Sequence, residues 1–517
     1  THGNNTALGF RALKTLNADA DGLNTAVGSS AGLAMTTGIA NTVIGALAGD
    51  AITTGVSNVF VGNDAGGGLT TGESNVAVGK DALLSSVDGD HNTAIGFKAL
   101  EDYEDGNGNG HNTAVGSSSQ LNATTGENNT SLGSHAFGTG VLTGDNNIAI
   151  GNNSGNALTS GSANVLIGRD AGDALTSGLN NVAIGHEALG TQIVHGQNVA
   201  VGYRALKLQN VNGHGNNTAV GMQAGVNVST GTSNTLIGST AGDALTTGAN
   251  NIALGVSALG STTTAANNVA IGVSALNANV LGASSIAIGL QSLAQQAPSG
   301  AGVMHNVCVG EKTGFAVTTG VQNTLIGGLA GDALTTGDNN IIIGHTAAAS
   351  AVGVDNTTVV GTTATTSALV HGLKQPVIAA SANVAAAAAF PNSIFNFSDA
   401  DGAVVTLPDS GDGSQIGKTY EFVVTVTATS NAHKVVFTDT TNEKIYGQLN
   451  TIDSDTSDTQ VTFLAQAGDS FSAISLNGTT TGIIGSRFKL TNVAADIWFA
   501  EGNVHHTGDV ATPFATS

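Results

Sequence analysis

A five-residue pattern led by Asn recurs along the first two thirds of the chain, and its spacing leaves few folds open. It reads Asn24-Thr25-Ala26-Val27-Gly28 and returns at Asn41, Asn58, Asn75 and Asn92, each 17 residues on. It continues at Asn112, Asn129, Asn147, Asn164, Asn181, Asn198, Asn217, Asn234, Asn251, Asn268, Ser285, Asn306, Asn323, Asn340 and Asn356; with Asn5 there are 21 units. A fixed period of this size marks a stacked architecture in which each unit contacts only its neighbours. We number the coils 1 to 21 from these residues and count positions within a coil from the same residue.

Each pentad position has a physical reading. Position 2 is Thr, Val or Ile and position 4 is Val, Ile or Leu in all 21 units. β-Branched residues two apart point to one face of a strand. Position 5 is Gly in 20 units, which suits a corner with φ > 0; in the last unit it slips to Gly361. Asn at the same place in every coil predicts an amide ladder running along the stack. Each unit therefore reads as one coil of a β-solenoid with a short strand.

Two coil types alternate. In nine units the small residue at position 8 is followed by Gly and the coil closes on an aliphatic, two hydroxyls and Gly, as in Ala48 to Gly55. In eight units Leu replaces that Gly, as in Ala99-Leu100 and Ala205-Leu206, and is expected to replace in part the missing aliphatic. The coils at Asn5, Asn92, Asn198 and Ser285 have extended loops, which bring the whole coil to 19, 20, 19 and 21 residues. They lie 87, 106 and 87 residues apart, which points to duplication of whole blocks. Thr1-His2-Gly3 matches the tail of a coil, so the array is expected to start in its middle.

Position 3 is apolar in 19 of 21 units, mostly Ala. A strand apolar on both faces is buried on both faces. With positions 2 and 4 assigned to the coil's own core, position 3 is expected to face a second copy of the chain. Ala26, Ala77, Ala149, Ala183, Ala253 and Ala270 are then interface residues, and Ala149→Glu or Ala183→Glu should block assembly. Three copies around a shared axis suit a strand that forms one wall of a prism.

The pattern Asn-Thr-Ala-Val-Gly-x-x-Ala-Leu…Thr-Thr-Gly-x-Asn resembles the head repeats of trimeric autotransporter adhesins and the similar repeats of phage tail fibres. The resemblance covers about residues 3–371 and implies a left-handed parallel β-roll packed as a homotrimer. Neither the membrane β-barrel of the adhesins nor the autoproteolytic chaperone of many fibres has a match here.

Composition changes after Pro376. From residue 374 on, the chain holds 13 of the 20 aromatics and 4 of the 5 prolines, Pro376 among them. Alternating runs predict strands at 403–407, 420–426, 434–437, 460–464, 471–476, 487–491 and 497–500, enough for a β-sandwich or barrel; the run 385–389 reads as strand or short helix. The expected division is a shaft over 1–373 and a β-domain over 374–517. Val404-Val405-Thr406-Leu407-Pro408, Gly417 to Val424, Leu476 to Gly482, Ile497-Trp498 and Ala511 to Phe514 resemble a module of tailed-phage virion proteins. Together the resemblances imply a fibre at the virion surface, extracellular, in contact with other virion proteins and with a host receptor or glycan. The alternatives are a bacterial surface adhesin and a monomeric ice- or carbohydrate-binding solenoid.

Charge narrows the partners. With 36 acids against 14 bases the formal charge is -22, which repels phosphate and argues against nucleic acid. No run has the length of a membrane-spanning helix, so no membrane insertion is expected. The lone Cys308 permits no intrachain disulfide and no cysteine metal cluster. It sits at position 3 and reads as a larger Ala. No carboxylate pair or Ser-His pair is placed for hydrolysis, so no enzyme activity and no cofactor are expected. Asp50, Asp173, Asp243 and Asp332 share one coil position and form a candidate Ca²⁺ row, although Ca²⁺ takes six or more converging oxygens and a solvated turn acid is the simpler reading. The acidic loop 101–105, His91, His111 and His305 before their pentads, and His505-His506 read as surface or corner features. The Thr-Thr pairs are interrupted by the Leu-type coils.

Overall fold

A computed structural model describes the chain apart from residues 1–2, 18–21, 105–108, 192, 195, 211–212, 363–376 and short stretches of the C-terminal part (381–383, 386–392, 399, 412–414, 429–431, 439–441, 454–461, 466–470, 472, 477–484, 507–511 and 516–517). All regular structure in the described residues is β, and the chain forms two compact units, Thr1–Ala368 and Leu369–Ser517.

The first unit is a parallel β-solenoid. Its 21 pentad strands, each three residues long, form one sheet in which every strand pairs in register with those of the coils before and after it. Thr25, Ala26 and Val27 lie beside Thr42, Val43 and Ile44, and Val182, Ala183 and Ile184 beside Val199, Ala200 and Val201. At about 4.8 Å per coil the stack is roughly 100 Å long. In coil 21 the register moves by one residue. Thr357 takes the ladder place, its amide donating to Asn340 Oδ1 at 2.9 Å, and Thr358 pairs with Ile341.

The Asn ladder forms. Asn41 donates from its backbone N and its Nδ2 to Asn24 Oδ1 at 2.9 and 3.2 Å, and its Nδ2 also donates to the Gly55 carbonyl at 2.8 Å. The same set recurs at Asn58, Asn164, Asn251 and Asn323. These amides are fully buried, so each hydrogen bond spares a polar atom that would otherwise be stranded. The Gly column at position 5 is fixed by space as well as by φ. A Cβ on Gly45 (φ +143°) would lie 2.1 Å from the carbonyl oxygen of Gly62 in the next coil.

The interior of each coil is small and admits one large side chain from the turn. In the Gly-type coils it comes from position 12, as Met35, Ile52, Leu69, Leu158 or Leu175, all buried. In the Leu-type coils it is the position-9 Leu itself, buried as Leu83, Leu100, Leu206 and Leu276 in a left-handed conformation (φ 49–53°). The expected replacement therefore takes place. Position 12 is polar in most of these coils, and in two of the long-loop coils it serves the ladder. Gln209 Nε2 donates to Asn198 Oδ1 at 3.1 Å. Gln296 Oε1 accepts from Asn306 Nδ2 and from Ser285 Oγ at 3.0 and 3.2 Å, which repairs the one coil whose first residue is Ser. Tyr103 occupies the same position, fully buried.

The faces of the strand are the reverse of those expected. Position 3 points into the coil: Ala26, Ala77, Ala149, Ala183, Ala253 and Ala270 are all 0% exposed and belong to the shaft core, as do Phe60, Leu166 and Cys308. Positions 2 and 4 point outward and are buried in none of coils 1 to 20; in coil 21 the slip puts Val359 on the inner side. The reason is volume. The interior already holds the Ala at position 8 and one large aliphatic, so small residues fill the strand side and the β-branched pair stays outside.

The C-terminal unit has two mixed sheets. The seven-stranded sheet runs Val377–Ala380, Ile394–Phe397, Thr419–Val424, Arg487–Ala494, Ile497–His506, Lys444–Asp453, Thr462–Ala465. The five-stranded sheet runs Val384–Ala385, Val404–Leu407, His433–Phe437, Ala473–Leu476, Phe514–Ala515. Both contain parallel and antiparallel pairs. One core takes Phe395, Tyr420, Phe422, Phe488 and Trp498 from the first sheet and Val405, Val435, Phe437 and Leu476 from the second. The ambiguous run begins as strand at Val384–Ala385, and the rest of it lies outside the described residues.

Candidate functional site

Because positions 2 and 4 face outward in coils 1 to 20, the sheet presents a continuous strip, apolar at position 4 throughout and Thr, Val or Ile at position 2. Ile148 is 37% exposed, Ile252 42%, Leu254 43% and Ile341 42% in a chain considered alone. Three residues by about 100 Å gives a strip of roughly 1,000 Å². The largest apolar patch of an ordinary monomer is about 300–600 Å². At positions 2 and 4 the strip carries Thr, Val, Ile and Leu only.

The strip continues around the corner that follows each strand. Position 6 holds Phe10, Phe97, Tyr203, Met222, Val256, Val273 and Leu290, all exposed. In three of the four long-loop coils a cation at position 7 sits on the aromatic ring, with Arg11 4.9 Å from the Phe10 centroid and Arg204 4.9 Å from that of Tyr203. Around Tyr203 lies the densest charge cluster of the shaft. Glu187 accepts from Arg204 and Lys207 at 2.6 Å each, and these hydrogen bonds hold its carboxyl at about 2, below the usual range.

The candidate cation row is dispersed. Asp50, Asp173, Asp243 and Asp332 belong to coils 3, 10, 14 and 19, so neighbours are at least four coils, or about 19 Å, apart and cannot share an ion. Burial raises the carboxyl pKa of Asp50, Asp173 and Asp243, with the nearby Asp64 adding to the effect at Asp50 and Asp170 at Asp173. The acidic loop is tied to its own coil through Lys98–Glu101 at 2.9 Å. His91 and His111 stack at 4.9 Å on successive coils. Burial pushes the Cys308 thiol well up, which leaves it inert inside the coil. The first Thr of each pair is engaged: Thr36, Thr53 and Thr70 donate their hydroxyls to carbonyls of the next coil.

Sequence reasoning did not single out one carboxylate group in the C-terminal unit. Asp409, Glu443 and Asp496 bring oxygens within 4.8 Å of one another. The buried Glu443 accepts from Ser410 N, Ser410 Oγ and Trp498 Nε1 at 2.5, 2.9 and 2.7 Å. It acts as a tie between two loops and the core Trp. Burial nevertheless raises its pKa. The signal was slight: one Glu beside an Asn in a Thr-rich loop.

No family model, characterised protein or solved structure matches this chain. Among the described residues no helix is long and apolar enough to cross a membrane.

Proposed function

We propose that the chain is the structural subunit of a homotrimeric fibre at the surface of a virus particle, in the manner of a tailed-phage fibre used for host attachment. The observation that carries this reading is the outward apolar strip, which runs the whole length of the solenoid and is too large for a chain that works alone. Copies of the same strip around a shared axis would cover one another, and 21 nearly identical coil interfaces would give length and stiffness. The repeat's resemblance to adhesin heads and fibres supports three copies. The resemblance of the C-terminal segment to virion modules supports the particle over a bacterial surface. In this reading other virion proteins hold the fibre, its partner at a distance is a receptor or glycan, and the chain catalyses nothing and needs no cofactor. Several weak contacts on one trimer would gain by avidity.

The test is direct imaging of purified particles with a label on this chain, beside the chain's mass in solution. A trimeric rod on the particle supports the reading. A trimer found only on bacterial cells would transfer the chain to the adhesins. A monomer that adsorbs to ice or glycan would favour the solenoid binder.

A further inference from the structure

The two edges of the apolar strip differ in a way that selects how a second copy can lie against it. All eight Lys and Arg residues before residue 374 stand on the corner that follows the strand, at position 6, 7 or 10; Lys80, Lys98, Arg169 and Lys312 are examples. The opposite edge, two residues before the ladder residue of the next coil, carries no cation in any coil. It carries Glu73, Asp90, Glu127, Asp145, Asp338 and Asp355. Several of these acids have a local task that uses one oxygen: Asp90 accepts from Glu73 N at 2.6 Å and Asp145 from Glu127 N at 2.9 Å. Glu73 itself is exposed.

Two copies can cover their strips in two ways. An axis across the shaft sets each acidic edge against another acidic edge. An axis along the shaft sets the corner of one copy, with its cations, against the acidic edge of the next, coil level with coil. The second arrangement also matches levels. Glu73 leads into coil 5, which carries Lys80, and Asp90 leads into coil 6, which carries Lys98. Both lysines flank the exposed Phe97 ring at 5.7 Å. Within the chain they reach the largely covered carboxylates of Asp81 and Glu101 at 2.8 and 2.9 Å, but each ammonium remains part-exposed and carries three donors, which leaves it able to meet a further carboxylate. Where coils 13 to 17 lack cations, the same corner is apolar at Met222, Val256, Val273 and Leu290, which fits a covered surface and not a solvated one.

We infer that the edge bearing Glu73 and Asp90 is the docking line for the Lys80 and Lys98 corner of a second copy of this chain, and that this seam fixes the copies parallel and in register. The inference rests on the self-association proposed above. Charge exchange tests it. Lys80→Glu and Glu73→Lys are made separately and together in the full chain, and dissociation is followed by sedimentation in low salt. Each single reversal is expected to raise the dissociation constant about tenfold over three seams, with the loss shrinking in high salt, and the double exchange should restore it. A double exchange that does no better than the singles, or singles without effect, overturns the seam. Ile148→Glu with Ile184→Glu, run beside them, reports on association itself. If that variant dissociates while the reversals do nothing, association stands and the seam falls; if the unaltered chain is already a monomer, both fall.

Discussion

The shaft and the C-terminal unit solve burial in opposite ways. The C-terminal unit puts its largest residues inside: Trp498, Tyr420, Phe395, Phe422 and Phe488 fill one core between its two sheets. The shaft puts mostly small residues inside and leaves Ile148, Ile184, Ile252 and Ile341 at its surface. Aromatic scarcity in the repeat therefore reflects a narrow coil interior. The β-branched residues that a lone domain would bury stay on the outside of the coil. One unit is complete with its own core, whereas the other leaves the bulky residues of its strand face uncovered.

Substitutions at neighbouring positions of a single strand break this contrast most sharply. Ala149→Glu places a charge in the closed interior of coil 9 and is expected to unfold the surrounding coils at a cost of several kcal/mol, about 3 or more. It should be read as lost β-signal in circular dichroism and as new proteolysis within residues 130–185. Ile148→Glu with Ile184→Glu should leave that signal intact and yield monomers by sedimentation. The opposite pair of results would return position 3 to the outside.

A smaller effect concerns the ladder. Asn164→Ala strands the Asn181 amide and the Gly178 carbonyl, which Asn164 now serves at 3.0 and 2.8 Å. About 1–3 kcal/mol per stranded group predicts a local loss near 3 kcal/mol, read by hydrogen exchange in coils 10 and 11. The C-terminal unit, with its unrelated core, should not respond.

The smallest effect belongs to Glu443. Its carboxyl is raised in the folded state, so its contribution to stability is present below the unfolded carboxyl pKa and is lost as pH rises through the folded one. Between pH 4 and pH 7 the C-terminal unit should lose stability relative to Glu443→Gln, which has no such titration. The difference between the two melting curves is the readout, and a pH-independent difference would contradict the assignment. The shaft's melting should be the same in both proteins.

Much of the shaft was legible because repetition averages out local ambiguity. The period, the ladder, the Gly column and the exchange of Leu at position 9 for an aliphatic at position 12 can all be read from aligned coils. The facing of the strand was not legible from alternation, since Ala and Val are both apolar and nothing in a three-residue strand marks its inner side. The size pattern held the answer. Positions 2 and 4 are bulky in every coil, as an open surface allows, while position 3 ranges from Ala to Phe60 among glycines that make room, a Cβ on Gly66 lying 2.8 Å from the Phe60 ring. In the C-terminal unit the strands at Val404–Leu407 and Thr419–Val424 lie close to their predicted places. Ile394–Phe397 and the ten-residue Lys444–Asp453 were missed, the second because Gly447, Gln448 and Asn450 interrupt its apolar pattern. The Glu443 tie depends on residues 33 and 55 positions away, which no local pattern records.

The central claim is that the apolar strip is covered by further copies of the chain. Sedimentation equilibrium of the full chain at micromolar concentration tests it most directly. The account predicts a single species of three times 50.7 kDa. A species of 50.7 kDa that stays monomeric as concentration rises would contradict it.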